Sequence, residues 1–190
     1  MNCIRSIAQL SLAVLLCASV TPCRADEVSE VNKLVKAGQT AEAVVKLDQF
    51  LALKPKDPQL RFLKGVMLAD SHRTADAIAV FTLLNEDYPE LPEPYNNLAV
   101  LYASQGQYDK ARVALEAAVR GNPGYATAFE NLGDVYARLA AQAYARALVL
   151  DGSNLALPPK IAQLRTLFTA KPVETRGGTP GRAASAASSP

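Results

Sequence analysis

The chain has 190 residues with 20 Lys+Arg, 18 Asp+Glu, one His and three Cys. A near balance of charge without a Lys/Arg cluster excludes a nucleic-acid binder or a lipid-surface binder of the electrostatic kind. One histidine and three cysteines, all of the latter before residue 24, exclude a disulfide framework or a Cys/His zinc site in the body of the chain.

The chain opens MNCIRSIAQLSLAVLLCASVTPCRADEV. Arg5 forms a short positive region, and Ile7 to Val20 is an apolar stretch of fourteen residues broken only by Gln9, Ser11 and Ser19. Thr21-Pro22 ends it, and Cys23-Arg24-Ala25 sets small residues three and one before a cut. This is the pattern of a secretory signal peptide over residues 1–25, cleaved before Asp26. A retained anchor needs about 20 apolar residues. A lipoprotein signal needs a small residue before its cysteine, and Leu16 and Pro22 fill those places. Cleavage removes Cys3, Cys17, Cys23, Arg5 and Arg24, so the mature chain is net neutral and free of thiols.

From here a period of 34 residues runs through the chain. Pro55, Pro89 and Pro123 mark it, as do Ala43, Ala77 and Ala111, then Leu47, Phe81 and Leu115, and the turn residues Gly38, His72 and Gly106. Apolar residues recur at three and four, so each unit is two helices and a tight turn. The units fall at about 24–57, 58–91 and 92–125. Ala99 and Gly133 in first helices, with Ala43, Ala77 and Ala111 in second helices, are expected where helix axes approach closely. Leu34, Leu68, Tyr102 and Tyr136 share one register position and are expected between units. Thr40 and Thr74 are equivalent and are expected to N-cap the second helices. The first unit departs from the pattern at Glu27 and Glu30, the second at Arg61 and Lys64.

The fourth unit, 126–151, lacks its turn. Phe129, Leu132, Gly133 and Tyr136 keep the first-helix pattern and Tyr144, Ala147, Leu148 and Leu150 the second. No Gly, Pro, Asn or Asp lies between Val135 and Leu150. The spacing predicts one continuous helix from Ala126 to Leu150, about 37 Å long. Asp151-Gly-Ser-Asn154 ends it. Pro158-Pro159 opens a last helix, 158–170, expected to cap the stack by covering Leu139, Ala143 and Leu150 with Ile161, Leu164 and Phe168. Residues 171–190 hold thirteen Gly, Pro, Ala or Ser in twenty and are read as a disordered tail. The folded domain is therefore 26–170.

The third unit is the most regular: Tyr95, Leu98, Ala99 and Tyr102, then Gly106, Tyr108, Ala111, Leu115, Ala118 and Pro123. It resembles a tetratricopeptide repeat, and the resemblance extends over about 26 to 151. It implies an all-α fold, a right-handed superhelical stack of antiparallel helix pairs, here with a long fused C-terminal helix and a capping helix. First helices of such stacks line a concave groove. Carried over by register, the groove holds Val28, Asn32 and Val35 from the first unit and Phe62, Val66 and Asp70 from the second. Asn96, Asn97, Val100 and Ser104 follow from the third, then Glu130, Asn131, Asp134 and Arg138. Asn97 and Asn131 are 34 apart and suited to bonding a ligand backbone. Phe62 and Val66 are the expected hot spot. The carboxylate clamp of chaperone-binding members is not matched, because Val28 stands where its lysine belongs and Asn96 and Asn97 replace its second basic pair.

No catalytic constellation emerges. His72 stands where the neighbouring units have a turn glycine, and Asp70, Asp76 and Asp87 lack calcium-loop spacing. Gly177-Gly178-Thr179 lacks a phosphate-loop lysine. The sequence is thus read as a non-enzymatic protein–protein adaptor or scaffold without cofactor or metal. The signal and the bacterial character of the resemblance place it in the periplasm, with a peptide or helix as partner and no membrane or nucleic-acid partner after cleavage. The alternatives are a periplasmic holdase-type chaperone for envelope proteins, and an enzyme of a kind no motif here reveals.

Overall fold

The computed structural model describes residues 24–169; the expected signal segment before Arg24 and the expected tail from 171 lie outside the described residues. Within that range the chain is all-helical: α1 (Arg24–Lys36), α2 (Thr40–Leu53), α3 (Pro58–Asp70), α4 (Thr74–Asp87), α5 (Pro92–Ser104), α6 (Tyr108–Gly121), α7 (Ala126–Leu150) and α8 (Leu157–Thr169). Successive helices pair as hairpins, α1 with α2, α3 with α4 and α5 with α6, and α7 packs on α6 and α5. First helices also touch one another, α1 with α3, α3 with α5 and α5 with α7, and so form one wall of the stack.

The turns repeat because their residues do. At the end of α1 the Gln39 amide donates to the Leu34 carbonyl at 2.9 Å; Arg73 to Leu68 and Gln107 to Tyr102 repeat the bond at the same distance. Each requires a left-handed residue just before, and these are Gly38 (φ 75°), His72 (φ 59°) and Gly106 (φ 73°). Second helices end at Leu53, Asp87 and Gly121, two residues before Pro55, Pro89 and Pro123. Pro58 and Pro92 start the next first helices at positions where no amide proton is needed. Asp57 caps α3, its Oδ1 accepting from the Gln59 and Leu60 amides at 3.0 and 3.1 Å.

The expected caps at Thr40 and Thr74 are not found. Both threonines are the first helical residue, and the cap positions are Gln39 and Arg73, neither making a side-chain cap bond. The tight left-handed turn brings the chain into the helix one residue earlier than the Thr signature suggests.

The core divides into three buried clusters, one for each pair and its junction. Val31, Ala43, Leu47, Leu60 and Met67 form the first; Ala77, Phe81, Leu98 and Leu101 the second; Ala99, Ala111, Leu115, Ala118, Ala128, Leu132 and Val135, with Ala114, the third. Ala43, Ala77, Ala99 and Ala111 are fully buried, as the close-approach reading requires. Gly133 is not such a site: a Cβ built there meets nothing within 4 Å. The glycine that does admit a close neighbour is Gly65, where a Cβ would stand 2.6 Å from the Phe81 ring. Leu34, Leu68 and Tyr102 pack between elements as expected, but Tyr136 stays half exposed because no following helix covers it.

The charged departures in the first two units all find partners on a neighbouring element. Glu27 pairs with Lys54 at 2.8 Å, Glu30 with Lys46 at 2.9 Å and Lys64 with Asp48 at 2.9 Å, and Arg61 pairs with Asp87. A long charged side chain at a core register lies along the apolar surface and places its head on a counter-charge at the rim.

α7 is unbroken for 25 residues, as its lack of a turn residue predicts. α8 packs on α7 alone. It does not cover the predicted stripe. Phe168 lies under the Arg138 guanidinium, 3.7 Å from ring centre to carbon, and Lys160 sits 5.3 Å over the Tyr144 ring. Leu157 and Ile161 are buried by this contact, whereas Ala143 and Leu150 remain exposed, and Leu139 packs against the third cluster instead. The turn between Leu150 and Leu157 returns the chain along the other face of α7.

Candidate functional site

The register places the groove residues on the first-helix wall, and the structure distributes them unequally. Val28 packs on the first core cluster and Phe62 and Val66 on the second. The Phe62 and Phe81 rings meet at 5.7 Å between centroids, tilted by 55°. Phe62 is thus half-buried, an anchor of the α3–α4 pair as much as a groove residue. Asn32 is half-buried; Val35, Asp70, Ser104, Glu130, Asp134 and Arg138 are exposed. Arg138 is shared with α8 through Phe168. Val100 presents an apolar side chain to solvent at 49% exposure, one turn beyond Asn97.

The asparagines form the link between the last two walls. Asn96 on α5 is buried, and its Oδ1 accepts from Asn131 Nδ2 on α7 at 2.8 Å. Asn97 instead donates to the Glu93 carbonyl of its own helix at 2.9 Å. The pairing across the wall is Asn96–Asn131. The 34-residue period matches residues by register; two neighbouring helices meet through residues one step off it.

A cleft of about 440 Å³ opens elsewhere, between α5 and α6, lined among others by Tyr95, Leu98, Tyr102, Val113 and Ala117. None of the register-derived groove residues lines it. Lys110 stands at its edge, 5.4 Å over the Tyr102 ring. Sequence reasoning missed this cleft; its only signal was the pair of small residues, Ala114 and Ala117, on the α6 face opposite two tyrosines.

At the α6–α7 junction Glu116 accepts from Arg112 at 2.8 Å and from the Tyr136 hydroxyl at 3.2 Å. The Arg112 hydrogen bond, seconded by its charge and by Tyr136, holds the Glu116 carboxyl below the usual carboxylate range, against a smaller opposing effect of burial. Among the described residues no group of three His, Cys, Asp or Glu is placed to hold a metal. Nor is any described helix long and apolar enough to cross a membrane.

Three family models match this chain: a tetratricopeptide repeat over residues 29–92, another over 80–113 and a TPR repeat over 101–139. Together they span 29–139, more than half of the sequence. The chain belongs to the tetratricopeptide-repeat family. Proteins of this family act as protein–protein interaction scaffolds. Among curated proteins, the tetratricopeptide repeat domain-containing protein PYG7 of Arabidopsis thaliana chloroplasts is 37% identical over 79 residues, covering 39% of this chain. This chain spans only 26% of that relative. Among solved structures, YrrB, a tetratricopeptide protein with an unusual peptide-binding site, is 26% identical with a TM-score of 0.50, over 54% of this chain and 53% of its own. PilF of Pseudomonas aeruginosa superposes with a TM-score of 0.56 at 19% identity, over 77% of this chain and 69% of its own. A thermophilic tetratricopeptide protein of Thermus thermophilus, TTC0263, does so with 0.55 at 20% identity, over 77% and 83%. The last two likenesses concern the tetratricopeptide fold alone.

Proposed function

We propose that this chain is a non-enzymatic adaptor of the bacterial periplasm that binds a peptide or helix in the groove lined by its first helices. The observation that carries this reading is the composition of the wall between α5 and α7. A bonded Asn96–Asn131 pair there stands beside the solvent-facing Val100. Ordered amides next to exposed aliphatic surface suit an extended backbone that needs both hydrogen bonds and apolar contact. The peptide-binding site of YrrB supports the same reading. The periplasmic placement rests on the signal pattern in residues 1–25.

The test is binding of a partner captured from envelope extract, measured on the purified chain by calorimetry. Val100→Glu is expected to weaken binding about tenfold or more by placing a charge against the ligand. Val113→Glu, in the α5–α6 cleft, is expected to leave it unchanged. The reverse pattern would move the site to the cleft. Suppression of aggregation of unrelated unfolded proteins, without saturable binding of one partner, would favour a holdase. Intact mass of the exported protein, expected to begin at Asp26, tests the compartment.

A further inference from the structure

α8 runs back along the groove side of α7. Lys160 lies beside Tyr144 and Phe168 beside Arg138, so the two helices are antiparallel. Ala137, Ala141, Tyr144 and Leu148 form a half-buried stripe on that side of α7, spaced by four, three and four. The same 3-4 spacing continues toward the start of α7 as Asp134 and Glu130, and both of these are exposed. α8 ends at Thr169, beside Arg138. The chain therefore leaves α8 one helical turn from Asp134 and two from Glu130, on the groove face itself.

The wall at this exit is acidic and not neutralised. Glu93 on α5 shares a helix face with Asn97 and Val100, and it is exposed like Glu130 and Asp134. None of these three carboxylates makes an ion pair among the described residues. Glu130 and Asp134 stand one turn apart, where like charges repel. Arg138, the base one turn beyond Asp134, is drawn to the Phe168 ring instead. The sequence that follows α8 carries the opposite charge. Over residues 171–190, Lys171, Arg176 and Arg182 stand against the single acid Glu174, and Val173 is the one large apolar residue. The reach suffices. Arg138 to Glu130 is about 12 Å of helix, which an extended chain covers in about four residues, and the neighbouring wall helix lies about 8–10 Å further. We propose that residues 171–190 dock back on the α5–α7 wall as an internal ligand, with Arg176 and Arg182 against Glu93, Glu130 and Asp134 and Val173 against Val100, so that an external partner must displace them. This rests on the groove reading above and adds its regulation: a tethered segment competes at an effective concentration on the order of millimolar.

The test compares the full-length exported protein with its double variant Arg176→Glu, Arg182→Glu, which alters no residue of the helical domain. In methyl NMR spectra the Val100 signals are expected to shift between the two proteins, independently of protein concentration, while those of Val113 on α6 stay in place. A synthetic peptide of residues 171–190 is expected to bind the double variant saturably, and the wild-type protein about tenfold or more weakly, because there the site is already occupied. Unchanged Val100 signals, a shift that vanishes on dilution, a peptide that does not bind, or equal affinity for both proteins would each overturn the internal ligand. Failure of this proposal is distinct from failure of the adaptor reading. A captured partner that Val100→Glu weakens, with no response to the tail charges, removes the internal ligand alone. A docked tail with no external partner at Val100 removes the adaptor and leaves the internal contact standing.

Discussion

Gly65 of α3 and Phe81 of α4 meet so closely that no side chain fits between them: a Cβ on Gly65 would lie 2.6 Å from two ring carbons. Phe81 is fully buried and also holds Phe62, so it has no room to withdraw. Gly65→Ala is expected to destabilise the domain by about 1–3 kcal/mol. Gly133→Ala, at the open face of α7, is expected to stabilise it by about 0.5–1 kcal/mol through helix propensity alone. Urea denaturation of the two variants beside wild type checks the opposite signs.

His72 holds a backbone conformation that its counterparts Gly38 and Gly106 reach without a steric cost. A non-glycine residue there costs roughly 1–2 kcal/mol, part of which glycine gives back as greater freedom in the unfolded chain. His72→Gly is therefore expected to raise stability by about 0.5–1 kcal/mol. His72→Ala should show no such gain in the same thermal melts.

Asn85 is buried on α4 with neither its Nδ2 nor its Oδ1 hydrogen-bonded to the protein. The positions one period before and after are Leu51 and Val119, which pack as hydrophobics against the cores of their own units. Asn85→Leu removes the desolvated amide and is expected to add about 1 kcal/mol or more. Chemical denaturation at neutral pH measures it, and a loss of stability would mean that the amide is satisfied in solution.

Glu116 ties α6 to α7 through Tyr136, with its carboxyl held low chiefly by Arg112. A carboxyl with a depressed folded-state pKa contributes stability above its unfolded value of about 4.3, and the contribution is lost as pH falls through the folded value. Glu116→Gln should flatten the fall of stability below roughly pH 4.3 without changing its course near neutrality. Tyr136→Phe should move the Glu116 titration, followed by NMR, back up toward the ordinary range.

The helix pairs, their turns and the long α7 were legible in the sequence because each rests on local rules repeated at a fixed period. Gly38 and Gly106 mark left-handed turns, Pro55 and its counterparts stop helices, and the absence of any breaker between Val135 and Leu150 leaves no place for a reversal. The groove was less legible. Register assigns Phe62 and Arg138 to the concave wall; the first also packs against the Phe81 ring and the second also lies over the Phe168 ring. Phe168 lies outside the repeat, so no period announces its contact, and the period that marks Phe81 as core does not say that its ring reaches Phe62.

By itself the sequence determined the helix-pair repeat, the unbroken helix from Ala126 to Leu150 and the family, since these follow from propensity, punctuation and period along one chain. Only the tertiary structure decided which face of α7 receives α8, which glycine is sterically required, and where Glu27, Glu30, Arg61 and Lys64 place their charges. Those outcomes depend on the distance between side chains on different helices, and a one-dimensional pattern of apolar residues does not encode it.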